Sequence, residues 1–349
     1  MDRAPLLPAD EQLNSCLGKP ESSLANSHFS SSSLFGRASK LLSAIVLLTG
    51  TLTGLATWVL ASWPAKLELS LSASPNFGHD LGGITHWDEL LVDGQSMYVH
   101  CPILDDSNLR LPVVIALHGT ADTASNFMRE TRIGGLARRS KGFVAVFLEM
   151  LPSKHGAWGF MDATDLSRFA SIVKALEKAY PLRRDAVFLV GHSEGGTISL
   201  ILGNNAPSLF RAVAAVESGV PGNLTLYNWN MSSYGAPVML VWNANDPVLS
   251  TYKVPGCSHC TLYQHTLHVL RRHALAEKPE PPVPIEFQGN LLTSAERIIW
   301  PPVGRQAEMQ MISWSSATPT HSWPNGQWLP GSFDSTELVW EFFQHVMRT

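Results

Sequence analysis

Short apolar runs recur along the chain from residue 113 onward, each followed within a few residues by a break of Gly, Asn, Asp or Pro. The runs at 113–117, 144–148, 186–190, 212–216 and 238–242 carry no polar alternation, the pattern of strands buried on both faces, and 309–314 is expected as the last strand of the series. Between several of them lie longer stretches with apolar residues at helical spacing, at 127–139 and 165–180, and 335–347 closes the chain in the same manner. Strands alternating with helices predict a mostly parallel sheet covered on both sides. Ahead of this series, 89–92 and 96–100 flank Asp93 and Gly94, a turn pair that predicts an antiparallel hairpin at one edge. No internal repeat is visible.

The amino-terminal part reads differently. Residues 1–40 are rich in Ser, Asn, Leu and Pro without periodicity, the composition of a disordered tail. From Leu41 to Trp63 no charged side chain occurs, and a helix of that length crosses a hydrocarbon core of about 30 Å. Arg37 and Lys40 precede the run, while Trp58 and Trp63 stand towards its far end. This is the pattern of an uncleaved signal-anchor with a cytoplasmic amino terminus and an extracytoplasmic domain beyond it. The competing reading is a cleaved signal peptide, for which Leu60, Ala61 and Ser62 offer small exit residues. The polar lead is long for one. A linker at 64–84 follows, and the folded domain is expected over 85–349, with 252–302 as an insertion and a candidate lid.

Composition narrows the partners. With 45% hydrophobic and 15% charged residues in 349, and a formal charge of -4, the chain is globular and lacks the basic footprint of a nucleic-acid binder. Four cysteines are too few for a disulfide scaffold. Cys257 and Cys260 lack the second pair of a structural zinc site, which leaves a local disulfide or free thiols ahead of a metal. Asn223 and Asn230 head glycosylation sequons that matter only in a eukaryotic secretory setting.

The candidate chemistry centres on Gly191-His192-Ser193-Glu194-Gly195. A G-x-S-x-G pattern between a buried strand and a helix holds its serine on a sharp turn, with the hydroxyl pushed outward. That hydroxyl needs a base, and the base needs an acid to fix its tautomer. Asp246 follows the 238–242 strand, at the strand end where such sites gather. Six histidines lie after Asp246. His265, His268 and His273 share one expected helix and His345 lies in the last one, whereas His321 sits in a loop after the final strand and is the expected base. The oxyanion donors expected are the backbone N–H of Glu194 and that of Thr120 or Ala121, in the loop after 113–117. His118 is expected to brace that loop. The Glu194 carboxyl either caps the following helix or repels anionic substrates, and capping is the preferred reading.

Taken together, LHGTADTASNF at 117–127, GHSEGG at 191–196, NDPV around Asp246 and HSWPNG at 321–326 resemble the polyhydroxybutyrate depolymerase family of esterases, feruloyl-esterase-like members included. The resemblance implies an α/β-hydrolase fold, a Ser193, Asp246 and His321 triad, and hydrolysis of a carboxylic ester through an acyl-enzyme, without cofactor or metal. Trp158 matches an aromatic position of the family and either walls the acyl site or packs in the core. Trp323 and His192 are the other candidate substrate-binding side chains. Polymer-degrading members are expected to carry a further polymer-binding module. Its absence after His321 favours a small or oligomeric ester near a membrane surface. A peptidase or acyltransferase on the same triad, and a non-catalytic binding domain, are the alternative readings.

Overall fold

The chain divides into two compact units, Met1–Lys66 and Leu67–Thr349. The computed structural model describes residues 87–104, 108–149, 163–220, 222, 224, 229, 235–254, 260–274, 279–287, 290–302, 307–316, 318–326 and 333–349, all in the second unit. The tail, the anchor at 41–63 and the linker lie outside the described residues. Among those described, no helix is long and apolar enough to cross a membrane.

Ten strands form one sheet: β1 (Asp88–Val92), β2 (Gln95–His100), β3 (Leu111–Leu117), β4 (Val144–Leu148), β5 (Leu182–His192), β6 (Ala212–Val216), β7 (Val238–Asn243), β8 (Val283–Phe287), β9 (Asn290–Trp300) and β10 (Met309–Trp314). Their order is β1-β2-β4-β3-β5-β6-β7-β10-β9-β8. The six central strands, β4 to β10, run parallel. At one edge stands the expected β1–β2 hairpin, turning at Asp93 and Gly94, both with positive φ. The other edge differs from expectation. The described part of 252–302 supplies helix α6 (Leu262–Ala274) and strands β8 and β9, which add antiparallel to β10 and widen the sheet. Two β-strands with a register to satisfy join a ladder, so this part of the insertion is sheet and not lid.

The remaining helices are α1 (Ala124–Thr131), α2 (Ile133–Ser140), α3 (Ala163–Ala179), α4 (Glu194–Asn205), α5 (Pro247–Thr251) and α7 (Ser335–Arg348). Where the periodicity predicts one helix over 127–139 there are two, broken at Arg132 in the left-handed region, whose N–H bonds Met128 O. Gly134 and Gly135 in the next turn lower helix propensity and ease the break.

Two-residue alternation sorts the central strands onto two cores. Ile115, Val146, Leu189 and Leu240 pack with Phe169, Ile172 and Leu176 of α3 and Ile198 of α4. Ala116, Phe147, Phe188 and Val241 pack with Phe127 of α1, Leu136 of α2 and Phe343 of α7. Phe343 stacks on Phe188 with ring centroids 4.5 Å apart. Fully burying each such side chain stabilises by about 1.5–3 kcal/mol, so the central strands are a stiff base for the loops at their carboxyl ends.

Candidate active site

The position of Ser193, the candidate nucleophile, is built by strain and close approach. Ser193 takes φ 52 and ψ -117, between the end of β5 and the start of α4, and its N–H donates to Val216 O at 2.9 Å. The flanking glycines are required by contact: a Cβ on Gly191 would meet the Gly195 carbonyl carbon at 2.2 Å, and one on Gly195 would meet Leu117 O at 2.2 Å. Only hydrogen fits there, so strand, turn and helix close around a serine held in a sparsely populated conformation.

Asp246 follows β7 and is the N-cap of α5. Its Oδ1 accepts from the N–H groups of Val248 and Leu249 at 2.8 and 3.0 Å. Its Oδ2 faces His321 Nδ1 at 2.6 Å. Capping and pairing with the histidine are therefore divided between two oxygens of one side chain. Burial pushes this carboxyl up, but the His321 and Leu249 hydrogen bonds outweigh it and hold it below the ordinary range. His321 Nε2 lies 2.8 Å from Ser193 Oγ. Serine, histidine and aspartate thus form one continuous hydrogen-bonded chain.

Two sets of contacts hold the His321 loop. On the acid side, Asn243 Nδ2 donates to Thr320 O and Ser316 Oγ, and Asn243 Oδ1 accepts from Ser316 N–H. On the other side, the carboxyl end of α1 takes over. Glu130 Oε1 accepts from Trp323 N–H at 3.0 Å, and Glu130 O accepts from Asn325 Nδ2 at 3.1 Å. Burial pushes the Glu130 carboxyl up, partly offset by the Trp323 hydrogen bond. Sequence reasoning missed Glu130, which nothing in the α1 periodicity distinguishes from a solvated charge.

The loop after β3 lies against Ser193: a Cβ on Gly119 would come within 3.3 Å of Ser193 Cβ. Ala121 has φ 59. Among the described residues, the N–H groups of Thr120, Ala121 and Glu194 donate to no backbone carbonyl of the turns and loops. His118 braces this loop, with Nδ1 at 2.8 Å from Gly119 O and Nε2 at 3.3 Å from Glu149 Oε1. Glu149 Oε2 also accepts the Ala124 N–H at the start of α1.

Glu194 corrects an expectation. Helix α4 has no side-chain cap. The Glu194 carboxyl instead accepts from the Thr120 hydroxyl through Oε2, while Oε1 is buried without a partner. Burial pushes it up to about 7 against the opposing Thr120 bond. Trp323 is also not where it was expected: 1% exposed, it packs edge-on against Phe127 and donates through Nε1 to Thr336. Its indole braces the core and turns no face to a substrate. His192, 8% exposed, stacks on Phe127 and lies tilted against His321, with ring centroids 5.1 Å apart. Burial, and then the neighbouring His321, push it down to about 3, so it is neutral. Trp158 lies outside the described residues. Cys260 is disulfide-bonded, and its partner lies outside them too. Among the described residues no cluster of His, Cys, Asp or Glu could hold a metal ion.

One further acid enters the site unannounced. Glu217, just after β6, is fully buried with φ 46. Its Oε1 accepts from Trp314 Nε1 at 2.9 Å and its Oε2 from Asn243 N–H at 3.0 Å, and its carboxyl faces that of Asp246.

With this geometry in hand, the likeness to known proteins falls into place. Residues 99–248 match the family Esterase PHB depolymerase, a stretch holding the loop after β3, the nucleophile turn and Asp246. Feruloyl esterase B of Neurospora crassa is 26% identical over 162 residues, 44% of this chain and 53% of that protein. The chain thus spans about half the length of this curated relative. Among solved structures, the acetyl xylan esterase from Aspergillus awamori superposes with a TM-score of 0.53 at 15% identity, covering 74% of this chain and 99% of that one. That likeness shows the fold, the α/β-hydrolase arrangement. The resemblance read from the motifs holds over 99–248, and its relatives are esterases.

Proposed function

We propose that the protein is a serine esterase that cleaves carboxylic esters through an acyl-enzyme. The observation that carries the reading is the unbroken chain from Ser193 Oγ to His321 at 2.8 Å and on to Asp246 at 2.6 Å. His321 takes the Ser193 proton as the hydroxyl oxygen attacks the ester carbonyl. The N–H groups of Glu194 and of Thr120 or Ala121 stabilise the oxyanion. His321, now charged and steadied by Asp246, returns the proton to the leaving alcohol. Water then attacks the acyl carbonyl as His321 takes its proton, and His321 returns that proton to Ser193 Oγ as the bond to the acyl group breaks and the acid leaves. Neutral His192, tilted against His321, adds no positive charge that would disfavour the imidazolium.

The feruloyl and acetyl xylan esterase relatives support an ester of a plant-polysaccharide or hydroxycinnamoyl kind as a substrate class, in small or oligomeric form. Fluorophosphonate labelling of Ser193, followed by an ester panel from acetyl through hydroxycinnamoyl to hydroxyalkanoate oligomers, tests the reading. Wild type is expected to label and Ser193→Ala not. Absence of labelling in folded wild type sinks it, and turnover of amides, or transfer to added alcohols ahead of water, would move it to a peptidase or acyltransferase.

We further propose that 41–63 anchors this domain outside the cytoplasm, on the strength of its uncharged length and the preceding Arg37 and Lys40. Protease added to intact cells is then expected to digest the domain. Protection there, with digestion only in inverted vesicles, reverses the topology.

A further inference from the structure

A buried acid that the triad chemistry does not use stands behind Asp246. Glu217 is fully buried at the end of β6, in a left-handed backbone conformation that few residues with a Cβ adopt. Its N–H donates to Val241 O at 2.9 Å, which fixes the residue between β6 and β7. Three groups meet its carboxyl, each from a different element. Trp314 Nε1–H comes from the end of β10, Asn243 N–H from the end of β7, and Asp246 from the loop beyond it. Among the described residues, no Lys, Arg or His pairs with it.

Two of these contacts donate to Glu217, and the third is to another carboxyl. Two carboxylates cannot hydrogen-bond to each other without a proton between them, and two buried negative charges in contact repel strongly. Asp246 already has its partners: two backbone N–H groups on Oδ1 and the His321 Nδ1–H on Oδ2. Each of these favours its ionised form. Burial and the Asp246 charge favour the neutral form of Glu217, against the Trp314 and Asn243 bonds.

We propose that Glu217 is a positioning residue of the relay, a neutral carboxyl whose O–H donates to Asp246 and fixes that carboxylate for His321. The proposal rests on the triad reading above. In it Glu217 touches no substrate. It spreads the Asp246 charge over one more hydrogen bond and ties Asp246 to β6, β7 and β10 at once. A hydrophobic residue of the same size could fill the space but would supply no donor to Asp246.

Two variants and a spectroscopic measurement on the full-length protein test it. Glu217→Gln keeps a donor towards Asp246 while losing one acceptor. It is expected to hold kcat/KM within about tenfold of wild type, with the acid limb of the pH–rate profile unmoved. Glu217→Leu removes the donor and leaves Asp246 to bind the imidazolium more tightly. Its kcat/KM is expected to fall about a hundredfold, short of the roughly 10⁴-fold that disabling the acid itself brings, and its acid limb to move to higher pH. Were Glu217 ionised, Glu217→Gln would delete a negative charge and move the acid limb to lower pH, which overturns the proposal. Glu217→Leu with unchanged rate and profile in a folded protein overturns it equally. Infrared difference spectra at pH 9 need no activity: a protonated-carboxyl band present in wild type and lost in Glu217→Gln is expected, and no change in that band rejects the assignment. Fluorophosphonate labelling of wild type keeps the two readings apart, since its failure removes the esterase assignment while leaving the infrared result standing.

Discussion

Two buried glutamates flank the relay, one at each end, and their surroundings treat them in opposite ways. Glu194, beside the nucleophile, has a single hydroxyl donor for one oxygen and nothing for the other. Glu217, beside the acid, has an indole, a backbone N–H and a carboxylate around it. The first is under-solvated, and burial brings its titration to about 7, inside the range where an esterase works. The second is fully satisfied as an acid and stays in one state across that range. A partly satisfied buried carboxyl makes a site sensitive to pH, whereas a fully satisfied one makes it rigid.

The largest expected break of this contrast comes from Asp246→Asn. It removes the charge to which Glu217 donates and the acceptor that sets the His321 tautomer, and kcat/KM on a reactive ester is expected to drop by about 10⁴-fold. Next in size is the stability of Glu217→Leu. The Trp314 and Asn243 donors are left buried and unpaired, at about 1–3 kcal/mol each, so urea unfolding is expected to show a loss of about 2–6 kcal/mol. A smaller loss would mean that the cavity admits water.

Glu194 supplies a gain. Its folded pKa is raised from 4.5 to about 7, so the folded state binds the extra proton between those values. Its contribution is most favourable below pH 4.5 and is lost as pH rises to about 7. Glu194→Gln is therefore expected to stabilise the protein by about 1–3 kcal/mol at pH 8 and to flatten that part of the stability profile, as read from thermal melts across pH. His192 works in the other direction. Lowered from 6.5 to about 3, it costs stability as pH falls through that window, so the descent on the acid side should survive in Glu194→Gln. The smallest effect is expected from Thr120→Val, which removes the one donor to Glu194. The Glu194 titration should then move up by about half a unit to one unit, with the melt profile following it.

The Ser193 turn, Asp246 and His321 could be read from the chain because each depends on local chemistry: glycines around a serine, an Asp at a strand end, a histidine in a turn-rich loop. Five of the six central strands were equally legible as unbroken apolar runs, β10 with its Gln310 and Ser313 being the exception. Glu217 was not, since its role exists only where β6, β7 and β10 come side by side, and those strands are far apart in sequence. Glu130 is the same kind of case, a helix-surface acid until the His321 loop folds onto it. The β8 and β9 strands were hidden among prolines and polar residues in 252–302, because edge strands lack the apolar signature of central ones. Trp323 misled because proximity to His321 in sequence suggested the substrate side, whereas its indole turns inward to Phe127 and Thr336.

The staple between Glu130 and the His321 loop bears on where the gene can be cut. A fragment limited to 99–248 would carry serine and aspartate but no base, and β7 would lose β10 and expose a hydrophobic edge. Such a piece would be a poor reagent, insoluble before it was ever inactive. Supplied as separate polypeptides, the parts before and after the 255–259 segment would have to find each other through the β7–β10 ladder and the Glu130 contacts before any ester could be turned over. Ester turnover would then serve as a reporter of reassembly.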